Sequence, residues 1–194
     1  MNKPELQPDG LSFKPVTPPR WDDFVKLFGQ SGACGGCWCM HWRFQAKEFA
    51  RKKGAGNKRA MKKIVMSGQI PGLLAYLGDE PIGWCAVAPR DVFVRLERSR
   101  YFKPVDTRQV WSISCLFVAK THRAQGVSVA LLKAAVAHVQ KQGGRIVEGY
   151  PVEPDKKWPD AFAWTGTTSA YIKAGFKEVL RRGPTRPIMR CCLA

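Results

Sequence analysis

The sequence predicts an α/β fold of α+β type, with six to seven strands and about four helices, and three observations carry that expectation. Residues 110–142 run from an apolar, β-branched and aromatic stretch (Val110–Val118) through a polar turn into an amphipathic stripe of Val129, Leu132, Val136 and Val139. Leu73–Leu77 and Pro81–Ala88 flank Gly78-Asp79-Glu80 as a hairpin. Beyond residue 145 the pattern reads strand, helix and two closing strands around the turn Arg182-Gly183-Pro184.

Taken in order, residues 1–10 are polar and read as a flexible tail, and residues 11–194 as a single domain. Leu11–Val16 is a first strand, stopped by Thr17-Pro18-Pro19. Thr17 is a candidate cap for a helix over Pro19–Phe28, with Trp21, Phe24, Val25 and Phe28 as its apolar face. Residues 44–67 read as helix broken at Gly54-Ala55-Gly56, with Asn57 as candidate cap of the second piece. A short charged helix is expected over Asp91–Phe102, and Gly143-Gly144 ends the central helix. Arg145–Pro151 is a strand, Val152–Trp164 a long loop, and Thr167–Ala174 a helix ended by Gly175. Phe176–Arg181 and Pro187–Leu193 close the chain as strands, with Cys191-Cys192 facing opposite sides of the last one.

Composition narrows the functional classes. No run of about 18 apolar residues exists, so no membrane span is expected. The first ten residues lack an apolar signal region, so a cytoplasmic protein is expected. Seven cysteines in such a chain read as thiols rather than disulfides. The formal net charge of +17 favours an anionic partner, but much of it is the run from Arg43 to Lys63, in which Glu48 is the lone acid. That run reads as a solvated face, because no aromatic RNA-binding ladder, zinc-finger spacing or helix-turn-helix accompanies it.

Cys34-Gly-Gly-Cys37-Trp38-Cys39-Met40-His41-Trp42-Arg43 admits three readings. Four soft ligands could hold zinc, but Cys-x-Cys-x-His is cramped and no distant ligand pair accompanies it. Cationic neighbours could activate a thiol. The reading preferred here is an apolar and aromatic lining segment, with no metal, in which Trp38, Met40 and Trp42 form a wall of the substrate pocket or simply part of the core.

A strand that enters a helix through a glycine turn is an anion site. The first helical turn has unpaired N–H groups, the helix dipole is positive there, and Gly126 lets a phosphate approach the backbone. Neither Gly-x-x-x-x-Gly-Lys-Ser/Thr nor Gly-x-Gly-x-x-Gly is present. The segment Arg123-Ala124-Gln125-Gly126-Val127-Ser128 instead resembles the Arg/Gln-x-x-Gly-x-Gly/Ala pyrophosphate loop of the GNAT superfamily of acyl-CoA N-acyltransferases, with Ser128 in place of the usual Gly or Ala. Tyr171-Ile-Lys-Ala-Gly175-Phe176 is similar to the family's Tyr-x-x-x-Gly-Phe helix end, and the order of elements matches throughout. One departure is Trp164, where the family often has an Asn that touches the cofactor arm.

The resemblance implies a GNAT-like fold with a mixed central sheet, and transfer of an acetyl group from acetyl-CoA to a primary amine in a ternary complex. It assigns residues Arg123 to Ser128 to the pyrophosphate, and Leu116, Phe117 and Val118 to the pantetheine arm, with an N–H near Val118 polarising the thioester. Tyr171 is the candidate acid toward the leaving thiolate. Glu148, a carboxylate inside an apolar strand, aligns with a Glu of some members and is the candidate base; Glu153 or water is the reserve, and a solvent-facing Glu148 is the competing reading. The partners expected are acetyl-CoA and a small-molecule or peptide amine, without membrane or nucleic acid; a homodimer is left open. The alternative from another class is a non-catalytic basic module that binds CoA or nucleic acid.

Overall fold

The computed structural model describes residues 10–153 and 164–193. Apart from Gly10, the expected tail lies outside them, as do residues 154–163 of the expected loop. Seven strands form one mixed sheet: β1 (Leu11–Pro15), β2 (Gly72–Leu77), β3 (Glu80–Pro89), β4 (Trp111–Val118), β5 (Ile146–Gly149), β6 (Lys177–Arg181) and β7 (Pro187–Cys192). Their spatial order is β1-β2-β3-β4-β5-β7-β6, antiparallel except for the β4–β5 pair. Among the described residues six α-helices accompany them: α1 (Trp21–Phe28), α2 (Ala46–Arg51), α3 (Ala55–Met66), α4 (Val94–Glu97), α5 (Val127–Lys141) and α6 (Thr168–Lys173).

The sheet is buried on both faces, as the near-continuous apolar runs of β2 to β4 require. On one face Leu131, Leu132, Ala135 and Val139 of α5 pack against Val87, Ile113, Leu116 and Val147. On the other, Trp21, Phe24 and Phe28 of α1 and Met61 and Val65 of α3 cover Leu74, Tyr76 and Trp84. A third cluster, with Phe93, Phe102, Tyr150 and Ile188 buried in it, joins the end of β3 to β5 and β7.

The local readings need three corrections. Thr17 makes no capping bond; its Oγ1 accepts from Arg20 Nη1 (3.1 Å) across a single 3-10 turn that precedes α1. Gly54, at φ 77°, starts α3, and Asn57 lies inside that helix, fully buried, with its Nδ2 donating to Gly36 O (3.0 Å). The helix expected over Asp91–Phe102 shrinks to a 3-10 turn and the single turn of α4, because Phe93 and Leu96 are held by the third cluster rather than by a helical stripe. Of the final cysteines, Cys191 is half-buried and Cys192 exposed.

Candidate active site at the splay of β4 and β5

β4 stays paired with β5 only over Trp111 with Val147, Ser112 with Glu148 and Ile113 with Gly149. Against β3, residue 114 is skipped between the pairs Cys115–Ala86 and Ile113–Val87, so Ser114 is a bulge that increases the local twist. Beyond it β4 runs on against β3 alone, and the sheet opens. Ala119 N–H donates to Ile82 O on β3 (2.9 Å), whereas Leu116 N–H points the other way and donates to Trp164 O (2.7 Å). Strand alternation therefore turns the main chain of Leu116 and Val118 toward the opening. Phe117, the middle of the three residues expected to meet the donor arm, turns its main chain to its partner Trp84.

The loop after β4 winds tightly. Ala124 (φ 59°) and Gly126 (φ 81°) are both left-handed, and Gly126 is the residue from which α5 starts. Left-handed residues alternating with ordinary ones gather successive N–H groups into an anion-binding concavity, continuous here with the first turn of α5, which has no side-chain cap. Arg123 Nε donates to Val118 O (3.1 Å) and Gln125 Nε2 to Thr121 O (3.1 Å), so both side chains brace the turn against β4. Val127 is buried against the sheet. The strand–turn–helix thus forms where the periodicity placed it.

At the apex of the opening stands Tyr171. α6 begins at Thr167, whose Oγ1 accepts from Ala170 N (3.4 Å). The Tyr171 ring lies against bare backbone: a Cβ on Gly149 would come within 2.0 Å of Tyr171 Cε1, and one on Gly166 within 2.9 Å of Cε2 and 2.8 Å of Leu116 Cδ1. Phe176 meets it edge-on at 5.0 Å. The hydroxyl is buried and takes no hydrogen bond, and the same holds for Thr165 Oγ1. Burial pushes the phenol well above its ordinary value, so it holds its proton.

Glu148 is buried at 1 % exposure, on the face opposite α5, and both its oxygens are engaged. Oε1 accepts from Arg90 Nη1 (3.0 Å) and the Tyr150 hydroxyl (2.7 Å), and Oε2 accepts from Arg190 Nε (2.7 Å). Arg90 Nε also reaches Glu97 (3.0 Å), and Arg190 reaches Asp106 (2.6 Å), whose Oδ2 also accepts from Arg108 (2.8 Å). Glu148, Glu97 and Asp106 are thereby matched with Arg90, Arg190 and Arg108. The solvent-facing alternative for Glu148 is overturned; three donors hold the carboxylate, two on Oε1 and one on Oε2, and leave about one of its roughly four acceptor positions open. Glu153 is paired with Arg181.

Of the three lining residues expected, two belong to the core. Trp38 (φ 45°) and Met40 are buried in the α1–α3 cluster, Trp38 stacked on Phe28 at 5.7 Å. A cleft lined by Val25, Lys26, Trp38 and Lys58 opens between α1 and α3, and neither β5 nor α6 lines it. Trp42 alone stands beside the splay, its ring 5.9 Å from those of Trp164 and Phe102. Cys39 Sγ accepts from Trp84 Nε1 (3.2 Å). Its contact with Cys115 pulls Cys39 below, and pushes Cys115 above, the ordinary thiol value. Burial and then the charge of Arg95 lower His41 to about 4, leaving a neutral imidazole. All seven cysteines are free, and among the described residues no three His, Cys, Asp or Glu are grouped to hold a metal ion. No described helix is long and apolar enough to cross a membrane.

Sequence reasoning passed over Arg43, which it counted among the solvated cations; two of its nitrogens are in fact buried. The signal available was its place at the end of an aromatic and thiol segment, outside any helix.

The arrangement has relatives. A protein assigned to the GNAT family from Desulfovibrio desulfuricans superposes with a TM-score of 0.55 at 18 % identity, over 95 % of this chain and 99 % of its own. PaiA N-acetyltransferase from Thermoplasma acidophilum, solved in complex with coenzyme A, gives 0.53 at 13 % identity, over 94 % and 98 %. An acetyltransferase from Thermus thermophilus gives 0.51 at 19 % identity, over 94 % and 97 %. No curated protein matches the chain in sequence. At such identities the structural likeness speaks for the fold alone, but the family model of the acetyltransferase (GNAT) family matches residues 38–156, more than half of the chain. The chain therefore belongs to the GNAT acetyltransferase family.

Proposed function

We propose that the protein transfers an acetyl group from acetyl-CoA to a primary amine by direct attack in a ternary complex. The observation that carries this reading is the buried, unpartnered hydroxyl of Tyr171, whose ring packs on Gly149 where β5 leaves β4, in a sheet whose β4 leads into a left-handed turn at the start of α5. In this reading residues Arg123 to Ser128 hold the pyrophosphate, chiefly through backbone N–H groups. Leu116 and Val118 offer main-chain groups to the pantetheine arm as an added strand. The amine nitrogen attacks the thioester carbon, the C–N bond forms and the C–S bond breaks. Tyr171 gives its proton to the leaving sulfur and regains one from solvent, while the amine loses one proton. Glu148 is assigned to holding β5 to β7 and to Arg90, and proton loss from the amine is assigned to water. Trp42 and Trp164 border the acceptor side.

The test is thiol release from acetyl-CoA with a panel of amines, together with calorimetry on Gly126→Glu. That substitution adds a carboxylate and a side chain at a left-handed position, where the phosphates belong. Acetyl-CoA affinity should fall about 10²-fold or more in a chain that remains folded. Wild-type affinity in the folded variant would refute the phosphate assignment.

A further inference from the structure

Arg43 is the cation that the ion cluster leaves out. Its Nε and Nη2 are buried and take no hydrogen bond, and no carboxylate among the described residues lies within ion-pair distance. The carboxylates of that cluster, Glu148, Glu97 and Asp106, are committed to Arg90, Arg190 and Arg108. Nε and Nη2 form one edge of the guanidinium, with parallel N–H bonds spaced to meet the two oxygens of a carboxylate. The same edge of Arg181 grips Glu178 in this way, Nε to Oε1 at 2.8 Å and Nη2 to Oε2 at 2.6 Å. In Arg43 that edge is withdrawn from water, and the guanidinium lies over the Phe93 ring, 4.8 Å from its centroid. Trp42, the preceding residue, packs against the same aromatic cluster and likewise has a buried indole N–H without an acceptor.

Both side chains stand one neighbour away from the open half of β4. Arg43 is beside Cys39, which touches Cys115, the residue before Leu116. Trp42 is against Trp164, whose carbonyl holds the Leu116 N–H. The Cys39 thiol is the group whose charge Arg43 feels, but it leaves the Nε–Nη2 edge without an acceptor; a buried donor edge left so is costly to the folded chain, and a fork of donors next to a reaction site calls for an anionic partner.

We infer that Arg43, with Trp42 beside it, anchors the carboxylate of the acceptor, so that the substrate is a primary amine bearing a free carboxylate. This rests on the acetyl-transfer reading for the amine but not for the carboxylate, and the two can be separated. The probes are the twenty L-amino acids, β-alanine and 4-aminobutyrate, each with its amide and its decarboxylated amine, titrated into the CoA-saturated protein and assayed with acetyl-CoA. Some of the carboxylates should bind about tenfold or more tightly than their amides, as a charge-assisted fork demands. Arg43→Gln should erase that preference and leave amide binding and acetyl-CoA affinity unchanged. Arg43→Lys, which keeps the charge and loses the fork, should retain only part of it. Removing a buried donor edge that has no acceptor should leave the thermal midpoint of Arg43→Gln equal or higher. Binding of carboxylates through Arg43 without acetylation would uphold the inference and refute the acetyl-transfer reading. Acetylation of amines with no carboxylate preference, a preference that survives in Arg43→Gln, or no binding by any carboxylate in the panel would overturn the inference.

Discussion

Replacing Tyr171 with Phe should make the protein more stable and a worse enzyme. The hydroxyl is fully buried and has no hydrogen-bond partner, so the folded chain bears the desolvation of a polar group with nothing in return. Such a group costs about 1–3 kcal/mol. The ring itself is pinned by Gly149, Gly166 and Phe176, contacts that a phenylalanine keeps. The variant should therefore gain about 1–2 kcal/mol, seen as a midpoint about 2–8 °C higher for a chain of this size. Turnover should fall about 10²- to 10⁴-fold, the contribution of a positioned acid, with acetyl-CoA affinity retained. The pH dependence adds a check. Because burial raises the phenol, the folded chain keeps this proton when the unfolded phenol, with its ordinary value of about 10, has lost it. Stability from this group is thus present below about pH 10 and declines above it, and that part of the decline should be missing from Tyr171→Phe. Denaturant melts at pH 7 and pH 10.5, paired with thiol-release kinetics, read all of this. A variant destabilised by more than about 1 kcal/mol would mean that the hydroxyl has a partner within the protein; one with full activity would remove Tyr171 from the chemistry.

Two further outcomes follow from the charges. Glu148→Gln should destabilise the fold by about 3–5 kcal/mol, the usual result of removing one partner from a buried ion pair, because Arg90 and Arg190 both lose it; urea melts check this. Its residual activity should keep the acidic limb of the wild-type pH profile, and loss of that limb with stability intact would restore Glu148 as the base. His41 is held at about 4 in the folded chain, chiefly by burial and then by Arg95, so between pH 6.5 and 4 the unfolded chain takes up more protons. Stability should fall as pH drops through that window, and less steeply in His41→Gln, which denaturation at pH 7 and pH 5 compares.

The parts of the fold that rest on periodicity were legible before any coordinates. The apolar run into β4, the stripe of α5 and the short helix of α6 ended by Gly175 are local patterns, and each formed where the sequence put it. What escaped was set by distant partners. Glu148 reads as a lone acid in an apolar strand, but its companions Arg90 and Arg190 are 58 and 42 positions away, so nothing nearby announces an ion cluster. Asn57 has the chemistry of a cap and spends it on Gly36, 21 positions back. Residues 91–102 read as one short charged helix, whereas burial of Phe93 and Leu96 dictated a turn. Arg43 vanished among the lysines because burial is a property of the fold and not of composition.

The opening beside β4 has a cost unrelated to catalysis. Half of that strand is an inward sheet edge, with main-chain groups directed at no neighbouring strand, and such edges recruit strands from other molecules. Here the edge is blunted from within the chain. The Trp164 carbonyl holds the Leu116 N–H, the Arg123 side chain holds the Val118 carbonyl, and the Ser114 bulge twists the strand away from a flat template. In the proposed acetyl-transfer reading, a donor arm that pairs with Leu116 would exchange one hydrogen bond for another rather than gain one outright. The same contacts that blunt this edge would then also set the affinity of the donor.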